Sequence, residues 1–354
     1  MTILVTGGAG FIGSCFVRAW LADAQAPHVV VLDKLTYAGN VENLAQYQSD
    51  SRFVFVQGSI EDQTLVGELL ERHRPQWVIN FAAESHVDRS IDDPLAFVTT
   101  NVMGTCRLLE ACLEYWRRQE ADAAASFRHL HVSTDEVFGE LGSEGVFDES
   151  SRYAPNSPYA ASKAAADHFV RAYHRTYGLP TIITNCTNNY GPYQYPEKLI
   201  PLMIRRALTG RSLPVYGRGE QVRDWLHVED HCLGIRKALS RGKPGQVYLF
   251  GGNSERTNLQ VVEAICGALD AVRPMPGGGP YGSRVEFVED RPGHDYRYAA
   301  DTTNVRLQLD WKPMTSFEKG LRDTVNWYVS NESWIECVLA RSPDATRLGL
   351  RSVE

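Results

Sequence analysis

The chain has 354 residues, 43% of them hydrophobic, and a formal net charge of −7. That length and apolar content support one large core with a second lobe, and the acidic balance argues against nucleic acid or an anionic membrane surface as a partner. No apolar run reaches the roughly 18 residues of a membrane span, Met1 leads directly into a strand-like run without a charged leader, and seven scattered cysteines with no CxxC motif point to a reducing, cytoplasmic setting.

The first predicted strand, Thr2–Thr6, runs into Thr6-Gly7-Gly8-Ala9-Gly10-Phe11-Ile12-Gly13 and then a helical pattern. Gly7, Gly10 and Gly13 have the GxxGxxG spacing that lets a strand turn tightly into a helix and lets backbone N–H groups approach a pyrophosphate. The second strand, His28–Leu32, is followed by Asp33, 20 residues beyond Gly13. A carboxylate at that distance suits the adenosine ribose and favours NAD over NADP, whose 2′-phosphate it would repel. Further strands are expected at Phe53–Gln57, Trp77–Phe81 and Arg128–Ser133. Several are apolar throughout, as strands covered on both faces should be.

Thr134-Asp135-Glu136 follows the Arg128–Ser133 strand. Two adjacent carboxyl groups can divide labour in the removal of water, one protonated as general acid and one ionised as general base. Next, Asn156-Ser157-Pro158-Tyr159 reads as a helix start, with Ser157 as N-cap and Pro158 at the first helical position. Tyr159 and Lys163 then lie one turn apart on one face. A nearby ammonium and a helix N-terminus both favour the phenolate, which suits proton removal from a carbinol during hydride transfer.

Strands at Thr181–Thr187 and Gln246–Gly251 complete an alternation of strands and helices that predicts an α/β fold, a doubly wound parallel sheet of about seven strands. His227 and His231 share a helix face, but no further His or Cys cluster accompanies them, and no metal site is expected. Composition divides the chain into a dinucleotide-binding domain (1–190 with 223–252), a smaller lobe rich in Pro, Gly and charge (191–222 with 253–330) and a C-terminal tail (331–354). Lys198, Arg223, Arg291 and His294 offer donors for a diphosphate, and Tyr216 could stack on a base or simply pack.

TGGAGFIG, FAAESHVDRS, YxxxK and NNYGP resemble the extended short-chain dehydrogenase/reductase family. VSTDEVFG, NNYGPYQYPEKLIP and DRPGHD resemble its dTDP-glucose 4,6-dehydratase branch, from Thr2 to about Tyr328. The resemblance implies C4 oxidation of dTDP-glucose by bound NAD, elimination of water across C5–C6 and return of the hydride to C6. Asp135 would donate a proton, Glu136 accept one and Tyr159 act as base, with Thr134 and Lys163 assisting. It implies NAD contacts from Phe11, Ile12, Asp33, Lys34, Leu35, Thr36, Ile60, Phe81, Ala82, Ala83, Ser85, Thr100, Lys163 and Asn189, beside the three glycines. Ser59 stands where the family usually has an aspartate that contacts adenine, and its hydroxyl can still hydrogen-bond. Substrate contacts are implied at Ser85, Thr134, Asn188, Lys198, Leu199, Pro214, Val215, Tyr216, Arg223, Asn258, Asp290, Arg291, Pro292, Gly293 and His294, and a homodimer by analogy. Two other readings share the framework. A UDP-hexose 4-epimerase would use Tyr159, Lys163 and NAD without needing Asp135 or Glu136, and a non-catalytic NAD-binding scaffold need keep none of the four.

Overall fold

The computed structural model describes residues 1–341. The central sheet is built from β1 (Thr2–Thr6), β2 (His28–Asp33), β3 (Phe53–Gln57), β4 (Trp77–Asn80), β5 (Arg128–Val132), β6 (Thr181–Cys186) and, after β7 (Asn188–Tyr190), β8 (Leu213–Tyr216) and β9 (Val222–His227), by β10 (Val247–Phe250). Its order is β10-β6-β5-β4-β1-β2-β3, and every pairing is parallel. These are the seven expected strands, each within one residue of the expected ends.

Alternate residues of the strands feed two cores, which is why the strands read as continuous apolar runs. Ile3, Val5, Val29 and Val31 pack with Phe16 and Trp20 of the helix Phe11–Leu21 and with Cys232 and Ile235 of the helix Val228–Arg241. Leu4, Val30 and Leu32 pack on the other face with Val66 and Leu70 of Gln63–His73 and with Leu108 and Cys112 of Thr105–Arg117. Strand order reverses between β1 and β4, so the chain leaves these neighbours in opposite directions and opens a crevice at their C-terminal ends.

A third core fills the lobe. Ile200 and Met203 of Leu199–Leu208, Val261 and Ile265 of Asn258–Val272, and Leu321 and Val325 of Phe317–Ser330 meet there. β9 lies between β7, parallel, and β11 (Glu255–Thr257), antiparallel, while β8 pairs in parallel with β12 (Val285–Val288). The segment read as a tail opens with a helix, Glu332–Ala340, that buries Ile335 and Val338. Trp334 Nε1 donates to Asn43 Oδ1 at 2.9 Å, and Asn43 Nδ2 donates to the carbonyl of Ala9 at 3.0 Å. Residues 342–354 of that segment lie outside the described residues.

Candidate active site

The glycine turn connects β1 to the helix Phe11–Leu21. Gly7 has φ +69°, and a Cβ there would stand 2.5 Å from the backbone nitrogen of Ala82. A Cβ at Gly13 would stand 2.3 Å from the carbonyl oxygen of Gly7. Neither clash can relax, because both obstacles are backbone. Asp33 closes β2 with Oδ2 accepting from the Ala9 N–H (2.9 Å) and Oδ1 from the Leu35 N–H (2.8 Å). Burial raises its pKa, and these two N–H groups pull it back. Glycines stripped of side chains under an open groove, with a carboxylate at its end, fit the pyrophosphate and ribose of NAD.

One cleft runs from this turn to the C-terminal end of β5. It is lined by Gly7, Gly10, Phe11, Ile12 and Gly13, by Asp33, Lys34 and Thr36, by Ser59 and Ile60 after β3, by Phe81, Ala82, Ala83 and Ser85 after β4, and by Thr100. It continues past Thr134, Asp135, Glu136, Tyr159 and Lys163 to Asn188, Asn189 and Lys198. Leu35 is not among the lining residues. It takes φ +56° and supplies its N–H to Asp33. Ser59 Oγ accepts from the Glu61 N–H at 3.1 Å, so its hydroxyl also serves the local turn.

Tyr159 sits at the start of the helix Pro158–Tyr177, where Ser157 Oγ accepts from the Ala160 N–H at 3.1 Å. Burial first, and then the nearby Glu136 carboxylate, push its phenol well above the ordinary value. Lys163, one turn on, is buried and donates to the Val132 carbonyl (2.8 Å), with His131 Nε2 at 3.2 Å. A further turn on, the buried Asp167 receives Ser133 Oγ (2.7 Å) and Tyr153 Oη (2.9 Å) on Oδ2. Desolvation lowers the Lys163 pKa, and Asp167 is first among the groups that raise it. Sequence reasoning missed His131 and Asp167. The signal was present as Tyr159, Lys163 and Asp167 at four-residue intervals on one helix face.

The acidic pair is electrostatically unequal. Asp135 is 2% exposed, and burial, Glu136 and Asp224 together raise its pKa well above the ordinary carboxylate value. Burial also raises Glu136, but Arg291, Arg223 and Lys198 all draw it back down. Asp135 is thus the group pushed further toward its acid form, and Glu136 the one whose ionised form has cationic support.

Of the other residues expected to contact substrate, Leu199, Pro214, Val215, Tyr216, Arg223, Asn258 and Asp290 to His294 fall outside this cleft's lining, whereas Lys198 is part of it. Arg291 Nη1 pairs with Asp88 Oδ1 (3.3 Å), Tyr216 Oη donates to Asp88 Oδ2 (3.3 Å), and His294 Nδ1 lies 2.7 Å from Asp290 Oδ1. Pro292 and the left-handed Gly293 (φ +64°) form the bend between Asp290 and His294 that permits this contact. Arg223, 5% exposed, spends its guanidinium on the carbonyls of Val222, Tyr296 and Asp295 and lies over the Tyr298 ring. Val215 belongs to the lobe core beside Pro214, while Leu199 and Asn258 each open a helix. Glu197, which the sequence reading passed over, lines the cleft and pairs with Arg89 at 3.1 Å.

The sequence model of the GDP-mannose 4,6-dehydratase family matches residues 4–324. The chain belongs to this family. It is 55% identical over 348 residues, 98% of this chain and 99% of the relative, to the dTDP-glucose 4,6-dehydratase of Xanthomonas campestris pv. campestris (strain B100). It is 50% identical over 347 residues, 96% of this chain and 95% of the relative, to dTDP-glucose 4,6-dehydratase 1 of Escherichia coli (strain K12). Among solved structures of this dehydratase family, DesIV, the dTDP-glucose 4,6-dehydratase of Streptomyces venezuelae crystallised with NAD bound, superimposes with TM-score 0.87 at 47% identity, covering 96% of this chain and all of that one.

Proposed function

We infer that this family member converts dTDP-glucose to dTDP-4-keto-6-deoxyglucose and water. The observation that carries the reading is the unequal pair Asp135–Glu136 at the end of β5, beside Tyr159. An epimerase has no use for two adjacent carboxyl groups in the cleft whose titrations are pulled apart, Asp135 pushed toward its acid form by burial, Glu136 and Asp224, and Glu136 drawn back toward its ionised form by the charges of Arg291, Arg223 and Lys198. Full-length relatives bearing this activity's name support the same substrate.

Bound NAD supplies a hydride acceptor for C4 and a hydride donor for C6. Gly7, Gly10, Gly13 and Asp33 would hold it, with Lys163 and Asn189 at its reactive end. Tyr159 takes the proton from O4, assisted by the Thr134 hydroxyl. The resulting 4-ketone acidifies the C5 proton. Glu136 removes that proton, and Asp135 protonates the departing 6-hydroxyl. Glu136 then returns its proton to C5 as C6 receives the hydride. Lys198 and Arg291 supply the positive charge for the substrate diphosphate, His294 a hydrogen-bond donor, and Arg223 acts from its buried place on β9. The dinucleotide domain thus carries the chemistry and the lobe the nucleotide sugar.

The same reading includes a homodimer in a reducing compartment. The helical segments near Val98–Trp116 and Tyr159–Tyr177 would pair between subunits, and Val98, Met103, Phe169 and Tyr177 leave large apolar side chains exposed there. All seven cysteines are free, and no described helix is long and apolar enough to cross a membrane.

Incubation with dTDP-glucose and measurement of product mass tests the assignment. Loss of one water is expected. An isomer of unchanged mass would mean an epimerase, and unaltered substrate would mean a binding protein.

A further inference from the structure

The segment that follows β4 does more than line the cofactor end of the cleft. Between Ser85 and Asp88 it takes hold of two cations that come from the lobe. The carbonyl of Ser85 accepts from Lys198 Nζ at 2.8 Å. Asp88 Oδ1 pairs with Arg291 Nη1 at 3.3 Å, and Asp88 Oδ2 accepts from Tyr216 Oη at 3.3 Å. Tyr216 in turn stands edge-on to the His294 ring, with centroids 5.8 Å apart. One buried carboxylate thus ties β8 and the bend 290–294 to the helix Val87–Asp92.

An aspartate is an odd neighbour for a diphosphate site. By charge alone Asp88 works against the substrate, since it repels the phosphates and competes with them for Arg291. What it supplies is orientation. A guanidinium carries five N–H donors in one rigid plane. With Nη1 held by Asp88, the edge formed by Nε and Nη2 is left for another acceptor. Arg291 Nε is buried and makes no hydrogen bond. A buried donor left unpaired is costly, and this edge of a guanidinium matches the spacing of two phosphate oxygens. The charge of Arg291 acts on both Glu136 and Lys198, which line the cleft, so the guanidinium lies near its substrate end.

We propose that Asp88 is a positioning residue for a nucleoside diphosphate: it fixes the plane of Arg291 so that the Nε–Nη2 edge meets a phosphate. Asp88 touches no reacting atom and acts through Arg291. The orientation it imposes outweighs the repulsion it adds. The Ser85 carbonyl does the same service for Lys198, with no charge of its own. The dinucleotide domain thereby sets the stance of two cations that the lobe contributes.

The proposal rests on the nucleotide-sugar reading, and its test separates the two. Calorimetric titration of the NAD-loaded protein with dTDP measures Kd directly. Asp88→Ala leaves Arg291 unheld, and Kd should rise by about 10-fold, the scale of one charge-assisted hydrogen bond. Charge alone predicts the opposite, because removal of one anion should tighten the binding of another. An Asp88→Ala protein that binds dTDP as well as the wild type, or better, therefore overturns the proposal. Asp88→Asn keeps an acceptor for Arg291 Nη1, and the Tyr216 oxygen can take the amide N–H. Its Kd should return to the wild-type value or fall below it, and a Kd as high as that of Asp88→Ala overturns the proposal. Arg291→Ala separates positioning from a general distortion of the lobe. In that background Asp88→Ala should weaken dTDP binding no further, and a second loss of the same factor would show that Asp88 does not act through Arg291. Failure of the wild type to bind dTDP at all would instead remove the nucleotide-sugar reading itself.

Discussion

At the scale of single residues, the site depends on burial applied unequally to similar groups. In the proposed mechanism the Tyr159 phenol oxygen is the group that takes the O4 proton. Tyr159→Phe should therefore reduce substrate-driven formation of NADH by about 10²–10⁴-fold, while NAD content after purification stays at the wild-type level. A variant that reduces its bound cofactor at the normal rate would remove Tyr159 from this role. Asp135 makes a second prediction through stability. In the unfolded chain its carboxyl titrates near the ordinary value of 3.8, and in the fold burial holds it well above that. The native state therefore binds more protons over the interval above 3.8, and the stability present below that pH is lost as pH rises through the folded-state value. Asp135→Asn has no proton to lose. Its melting temperature relative to wild type should climb as pH is raised from about 4 to 7, and a difference that stays flat across that range contradicts the assignment. What the sequence concealed at this scale was the support. His131 and Asp167 lie under Lys163, but His131 sits in a run that reads as apolar and Asp167 in a helix whose exposed face is also charged. Only the packing of β5 against that helix reveals that both are buried.

At the scale of elements, strand ends do the positioning. β1, β2, β3, β4 and β5 stop within one crevice, and each stop delivers a short segment of the site. The first four were legible because cover on both faces gives them apolar runs such as Ile3–Val5 and Val29–Leu32, whereas β5 carries Arg128, His129 and His131 among its apolar residues. The glycine turn was legible for a related reason, since its spacing follows from contacts of backbone with backbone. Gly13→Ala places a methyl group against the carbonyl of Gly7, and that collision forces the turn open. Purified Gly13→Ala protein should carry little NAD, judged by its ratio of absorbance at 260 to 280 nm, and should melt earlier than wild type. Full NAD occupancy in that variant would mean that the turn is not the pyrophosphate site. The lobe was less legible. Its strands are three to six residues long and its loops are polar, so neither period stands out over a useful window. Arg223 illustrates the limit. Its charge suggested a direct diphosphate contact, yet its fork is taken by three backbone carbonyls.

At the scale of the whole molecule, one cleft must hold cofactor and substrate through oxidation, elimination and reduction. The hydride taken from C4 then has a single destination. Substrate deuterated at C4, mixed with unlabelled substrate, should yield product labelled at C6, with no label passing between sugar molecules and no effect of added NADH. Label retained at C4 would indicate epimerase chemistry, and label lost to free NADH would indicate a cofactor that leaves between steps. The sequence disclosed this closed cycle only through the coincidence of two constellations, YxxxK and Asp-Glu, because no local pattern reports that a strand end and a helix start 24 residues of chain apart (Asp135 to Tyr159) face one space.

The helix Glu332–Ala340 gives this architecture an unexpected dependence on its far end. Trp334 holds Asn43, and Asn43 in turn holds the carbonyl of Ala9, the residue whose N–H binds Asp33. Three hydrogen bonds thus tie the last described helix to the hinge of the first β–α unit. Proteolytic nicking or a fusion partner that pries this helix loose, more than 320 positions downstream of Ala9, would be felt as a leaking coenzyme before it was felt as a lost fold. The core strands owe nothing to Trp334, whereas the coenzyme's turn does.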